Sequence, residues 1–139
     1  MSHASNIQQD TVLIDAFSSC FSVICNHRGK LPDNIHHSHE VAGIIIGISR
    51  GFAIQHSFNE KRLETVIETI FHNLFHQRAK KMINRAETLL HHADERFMFA
   101  YLYAKKHTLS QIQLDLSWLS CYVEKHFMPK MTSNKNKAA

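Results

Sequence analysis

The chain contains twelve histidines in 139 residues, and two of them have a spacing suited to metal chemistry. On a helix, His72 and His76 would project from one face, where two imidazoles can bind a divalent cation. Further candidate ligands lie upstream, namely His36, His37, His39 and Glu40. No HExxH motif or matching cysteine and histidine set accompanies them. We therefore expect no metal or other cofactor, and a metal-binding bundle is the weakest of three hypotheses.

Residues that can act as nucleophiles lack the sequence context that enzymes give them. No GxSxG motif or phosphate-binding glycine loop is present, and Cys20, Cys25 and Cys121 form no CxxC pair. An odd number of thiols suits a reducing compartment. The N-terminal residues lack the pattern of a secretion signal, and the apolar run at 41–48 is too short to cross a bilayer. We expect a cytoplasmic protein that is not an enzyme.

The segment Leu109–Phe127, LSQIQLDLSWLSCYVEKHF, has the hydrophobic spacing of a helix-turn-helix. Its apolar positions are Ile112, Leu116, Trp118, Val123 and Phe127. The first two would be buried by a helix that begins at Leu109, where Thr108 and Gln111 resemble a capping box. The last two would be buried by a second helix, with the tryptophan in the corner. Such a motif predicts DNA binding.

Two residues depart from the usual form of this motif. Gln113 stands where a small residue usually lets the helices cross closely, and Ser117 stands where glycine usually takes a left-handed backbone. The alternative is two consecutive amphipathic helices of an all-helical protein. The charge distribution favours DNA: residues 1–77 carry a net charge of −2 and residues 78–139 a net charge of +6. A positive field over the second part would attract phosphate backbones.

The remaining segments predict helices, because only four glycines and two prolines interrupt a chain that is 44% hydrophobic. Amphipathic stripes indicate helices over 11–25 and 57–75, the second beginning with a capping-box pair, Ser57 and Glu60. Residues 39–54 carry glycines four apart, which favours a closely packed helix over a β-hairpin turning at 49–51. Residues 93–106 are apolar nearly all round, as in a short buried helix. The fold class is all-α.

Residues 87–131 resemble region 4, the C-terminal region of sigma-70 family factors, and especially of the small extracytoplasmic-function group. The matching residues are Leu89, Leu90, Arg96, Phe97, Phe99, Ser110, Gln111, Ile112, Leu116, Val123, Lys125 and Phe127. Upstream, residues 70–81 resemble the end of region 2 through Asn73, Leu74, Arg78, Lys80 and Lys81. The chain is therefore similar to a degenerate sigma factor.

This resemblance implies a region-2-like helical lobe at 1–85, a helix-turn-helix lobe at 86–131 and a disordered basic tail at 132–139. It implies a transcription regulator that directs or modulates RNA polymerase at promoters. The partners would be promoter DNA, the polymerase core and an inhibitory protein. The DNA-binding residues would be Ser120, Tyr122, Glu124 and Lys125 in the major groove, with Lys105, Lys106 and Lys130 on phosphates.

The alternative function belongs to a different class, the small helical protein-binding module. An immunity protein, an adaptor or a chaperone would have no DNA role, and its surface would bind a protein partner. The glycine stripe and the histidine-rich segment would then form the docking surface. Binding to duplex DNA that weakens steeply with salt distinguishes the first function from the second.

Overall fold

The computed structural model describes the backbone of residues 2–128 and the side chains of residues 9–128. Over this range the chain forms six α-helices and no strand, which confirms the all-α prediction. They are α1 (Ser2–Ser22), α2 (His39–Gln55), α3 (Glu60–Phe75), α4 (Ala79–His91), α5 (Glu95–Leu109) and α6 (Ser117–Phe127). Short 3₁₀ helices span Asp33–His37 and His76–Arg78. None of the described helices combines the length and apolar character needed to cross a bilayer.

Helix α2 is the centre of the fold, and its glycines pack directly against α5. The helical prediction for 39–54 is confirmed, and the β-hairpin alternative is wrong. One glycine per turn faces α5, at Gly43, Gly47 and Gly51. A Cβ atom at any of them would press on a backbone carbonyl oxygen of α5, those of Phe97, Tyr101 and Lys105. The absence of side chains therefore lets the two helices lie backbone to backbone.

One continuous core joins the two parts of the chain that the sequence analysis separated at residue 85. Buried residues of a single cluster run from Leu13 in α1 to Val123 in α6, and Phe17, Phe52 and Phe97 are among its fully buried side chains. Because α2 packs mainly on α5, the largest helix contact also crosses that boundary. The two-lobe arrangement is thus not confirmed. The predicted tail at 132–139 lies outside the described residues.

The prediction of a first helix in the helix-turn-helix, beginning at Leu109, is wrong. Helix α5 continues to Leu109, residues 110–116 are irregular, and Ile112 is fully exposed. Hydrogen bonds from side chains stabilise the irregular backbone of this loop. The Gln111 side chain accepts from the backbone N–H of Asp115 at 3.2 Å and donates to its carbonyl at 3.1 Å. Gln55 of α2 donates to the carbonyls of Thr108 and Gln111. Polar side chains that bond nearby backbone groups compete with helix formation in this way.

The predicted caps also differ from the observed ones. The Thr108 hydroxyl, expected to begin a helix, is buried in the last turn of α5 and has no hydrogen-bond partner among the described residues. Helix α3 is capped by Asn59, whose side chain accepts from the Arg62 N–H at 2.7 Å, and not by Ser57. Ser57 instead has a φ of 58°, so it belongs to the turn that precedes the helix.

Helix α6 packs on α1 and reaches α5 mainly through side chains. Trp118, at its start, packs its ring against Tyr103 and His107, with centroid distances of 5.6 and 5.2 Å. Further along, Tyr122 lies beside Arg96, near the beginning of α5. Leu119 and Val123 on the inner face are fully buried. Residues 109–127 therefore contain one helix after an irregular loop, and neither the helix-turn-helix nor the alternative of two consecutive helices describes them.

Candidate functional site

Two of the residues predicted to contact bases face the protein interior. Ser120 is half-buried beside the thiol of Cys20 in α1, and burial raises the pKa of that thiol to about 11. Tyr122 is half-buried beside Glu40 and Arg96, and burial raises the pKa of its phenol. Of the four residues predicted to contact bases, Glu124 and Lys125 are exposed, and their charges cancel.

Of the three lysines predicted to contact phosphates, two lie on α5 and none lies among the described residues of α6. The Lys105 ammonium lies 5.7 Å from the centroid of the Tyr101 ring, and Lys106 is exposed in the last turn of α5. Trp118, at the start of α6, contacts His107 beside Lys106, whereas Lys125 lies about two turns further along α6. Lys130 is outside the described residues. The predicted residues therefore form no single positive surface in the described part of the chain.

A denser group of cations lies at the start of α4. The guanidinium of Arg78 is 3.1 Å from Nδ1 of His36, and Arg85 donates to the carbonyl of His37 at 3.5 Å. Exposed lysines complete the group at Lys80 and Lys81. Most of these cations belong to the segment that resembles the end of region 2, whereas the DNA contacts were predicted on α5 and α6.

Charged side chains also join the starts of α2 and α5, where they stabilise the fold. Arg96 donates two hydrogen bonds to Glu40, at 2.9 and 3.1 Å, and this pairing lowers the pKa of the Glu40 carboxyl. Asp94 caps α5 by accepting from the Phe97 N–H at 3.0 Å, and its second partner is His39 at 2.9 Å. The hydrogen bond from the Phe97 N–H lowers the pKa of the Asp94 carboxyl most, and the hydrogen bond with His39 lowers it further. Each of these groups already has a structural partner.

His72 and His76, whose spacing suggested the metal-binding hypothesis, do not lie on one helical face. Helix α3 ends at Phe75, and His76 has a φ of 53°, so it leaves the helical face that carries His72. Within the described residues, no three histidine, cysteine, aspartate or glutamate side chains converge as metal ligands. Nothing in this arrangement supports the metal-binding bundle.

A groove lies between α3 and α4, with α2 at its base. Its volume is about 260 Å³. Buried side chains at its base come from all three helices: Ile46, Leu63 and Ala86. Half-buried side chains form its walls: Ile67, Ile83 and Leu90. The groove therefore offers an apolar surface that no described part of the chain covers.

Besides the cation Arg50, four carboxylates surround this groove and are here called the acidic rim. They are Glu60, Glu64, Glu68 and Glu87. The first three lie on successive turns of α3, where like charges four residues apart cost about 0.2–0.5 kcal/mol per pair. Arg50 reaches Glu60 at 3.6 Å, but the other three have no ion-pair partner among the described residues. The groove is thus locally negative in a chain whose net charge is +4.

The sequence did not predict this groove, although it showed one of the features that form it. The glutamates at 60, 64 and 68 have helical spacing and precede the apolar stripe of the same helix. What the sequence did not reveal is that α4 lies alongside and supplies Ile83 and Glu87. No family model, no curated protein and no solved structure matches this chain.

Proposed function

We propose that the protein is a small helical binding module that holds a basic segment of a partner protein in the groove between α3 and α4. The observation that carries the proposal is the acidic rim, which surrounds an apolar base although the chain as a whole is positive. Three of its carboxylates form no ion pair with a described side chain, so cations of a partner can pair with them without first breaking an internal ion pair. Charge complementarity of this kind speeds association and selects partners.

The size of the groove indicates what it holds. Sites for drug-sized ligands typically enclose about 300–1,000 Å³, and this groove encloses about 260 Å³. It suits an apolar side chain or two of a larger molecule better than a whole small ligand. A partner helix with leucines on one face and lysines or arginines beside them would fill the base and meet the acidic rim. Recognition of this type uses an amphipathic helix in a groove.

A defined probe tests the proposal. We expect a fluorescent amphipathic peptide of leucine and lysine to bind the full chain, and its counterpart of leucine and glutamate not to bind. The triple variant Glu64→Gln, Glu68→Gln, Glu87→Gln should weaken binding about tenfold, since each exposed ion pair contributes about 0.2–1 kcal/mol. Fluorescence anisotropy, repeated at increasing salt, measures the change.

A matched control carries the same loss of charge on other surfaces. Asp15, Glu95 and Glu124 are exposed on α1, α5 and α6, and their replacement by the corresponding amides should leave peptide binding unchanged. Ile83→Ser, in the groove wall, should weaken binding with little change at the acidic rim. Equal losses in the two triple variants would contradict the proposal, because they would reflect total charge rather than the groove.

A second candidate is DNA binding by a sigma-like transcription regulator, and the cations at the start of α4 favour it. Lys80, Lys81 and their neighbouring arginines form the densest group of positive charge in the described part of the chain. Binding there would be to phosphates, which position a protein on DNA without specifying sequence. Pull-down of the polymerase core by the full chain tests the proposed partner.

The position of the cations makes the DNA proposal testable by a pair of variants. Lys80→Gln with Lys81→Gln should lower the slope of log affinity against log salt by about 2, given about 0.9 per phosphate contact. Lys105→Gln with Lys106→Gln removes the same charge from α5 and should have a smaller effect. Mixed-sequence duplex DNA is the probe. Absence of binding below ~10 µM, or a flat salt dependence, would count against this function.

A further inference from the structure

Helix α5 has an apolar stripe on the side that faces away from α2. The buried residues of this helix contact the glycines of α2 and include Phe97, Ala104 and Thr108. Residues 93–106 were predicted to form a buried helix, but Phe99 is 77% exposed and Leu102 is 55% exposed. Exposed apolar side chains that lie together, and are not scattered singly, mark interaction surfaces.

The charges at the two ends of this stripe are opposite. Positions 95, 99, 102 and 106 are spaced by four, three and four residues, so they lie on one face of the helix. Along the chain they are an acid, two apolar residues and a base: Glu95, Phe99, Leu102 and Lys106. Both charged side chains are exposed, and neither forms an ion pair with a described residue.

We infer that this stripe is the contact surface of a symmetric homodimer in which α5 pairs antiparallel with α5 of a second copy. A two-fold axis between Phe99 and Leu102 brings each of these side chains against the other in the second copy. The same axis places Glu95 opposite Lys106 of the second copy, twice in the dimer. Such an interface is isologous, because each copy uses the same surface.

The charge pattern selects this arrangement over the other ways of pairing two copies. A parallel pair would place Glu95 against Glu95 and Lys106 against Lys106, and facing like charges are destabilising. A partner with a uniformly charged surface would be attracted to one end of the stripe and repelled from the other. A second copy in antiparallel orientation satisfies both ends at once.

The exposed apolar residues near the stripe are not limited to Phe99 and Leu102. Tyr103 is 53% exposed on one flank, Leu109 is 41% exposed as the last residue of the helix, and Ile112 is exposed in the loop that follows. Even so, one pair of fifteen-residue helices makes a small interface, and interfaces below about 1,200 Å² are typical of weak complexes. We therefore expect the dimer to dissociate in the micromolar range, which corresponds to about 8 kcal/mol at 1 µM.

Sedimentation equilibrium of the full chain tests the inference. We expect a monomer–dimer equilibrium for the wild type and a monomer for Phe99→Ser. Glu95→Lys and Lys106→Glu each replace two attractive contacts with repulsive ones, and each should weaken the dimer about tenfold. The double variant Glu95→Lys, Lys106→Glu restores opposite charges across the interface and should recover most of the wild-type affinity.

Exposed charges on α6 supply the control. Glu124→Lys and Lys125→Glu make the same charge changes away from the stripe and should leave the dimer constant unchanged. Circular dichroism confirms that each variant is folded. The inference is overturned by a wild type that stays monomeric at several hundred micromolar, by single reversals without effect, or by a double variant no better than the singles. Peptide binding in the groove is a separate measurement, so either proposal can fail alone.

Discussion

Gly47→Ala is expected to destabilise the protein, although alanine is the better helix former. In an exposed helix this change would gain about 1 kcal/mol. Here the added Cβ meets the carbonyl oxygen of Tyr101 and lies 3.1 Å from the Cβ of Ala104. Since a backbone carbonyl cannot move aside like the end of a flexible side chain, α2 and α5 must separate. Overpacking of this kind costs about 1–3 kcal/mol, and Gly47→Val should exceed the upper value.

The other glycines of α2 provide an ordered series. A Cβ on Gly51 would lie 3.0 Å from the Lys105 carbonyl oxygen and from the Thr108 Cβ, a less severe contact than at Gly47. We therefore expect Gly51→Ala to cost less free energy of unfolding than Gly47→Ala. Urea unfolding monitored by circular dichroism measures both. Stabilisation by Gly47→Ala would show that helix propensity outweighs packing and that the two helices are not in backbone contact.

The glycine spacing is also where the sequence was most informative. Three glycines four residues apart, in a run otherwise rich in isoleucine, predicted a helix with a smooth face. The pattern did not identify α5 as the helix on that face, because small residues carry no information about their partner. For the same reason residues 93–106 looked buried all round, whereas α2 covers one side of α5 and leaves Phe99 exposed.

The helix-turn-helix prediction failed for a different physical reason. The apolar spacing of residues 109–127 fits two short helices, but spacing alone does not weigh the polar residues between them. Gln111 and Asp115 satisfy the backbone of the loop locally. Gln55 adds two hydrogen bonds from a helix more than fifty residues away, which no local pattern can reveal. Leu116 and Val123 are nevertheless buried, as predicted.

The candidate groove illustrates the limit for binding sites. Its acidic side was visible as glutamates with helical spacing, yet an acidic helical face is common on solvated surfaces. The groove becomes a distinct feature only when Ile67 of α3 and Ile83 of α4 face each other over Ile46. That juxtaposition depends on how three helices pack, so it could not be predicted from the spacing of any one of them.

Val123→Asp should destabilise the whole domain and not a C-terminal lobe alone. Val123 is fully buried on the inner face of α6, and an unpaired carboxylate there has no cation or donor to compensate for its loss of water. The expected cost is about 4 kcal/mol, a large part of the 5–15 kcal/mol that stabilises a typical domain. Because a single core connects α6 with α1, urea unfolding should remain one transition at a lower midpoint.

The rate of alkylation of the Cys20 thiol measures how often the core between α1 and α6 opens. It is buried, and burial raises its pKa to about 11, so it should resist alkylation in the wild type and in the exposed-site control Lys125→Ala. In Val123→Asp, the lower stability raises the population of globally unfolded chains, so mass spectrometry should find Cys20 modified faster under native conditions. Two separate unfolding transitions, with Cys20 still protected after the first, would instead favour the two-lobe organisation that the sequence suggested.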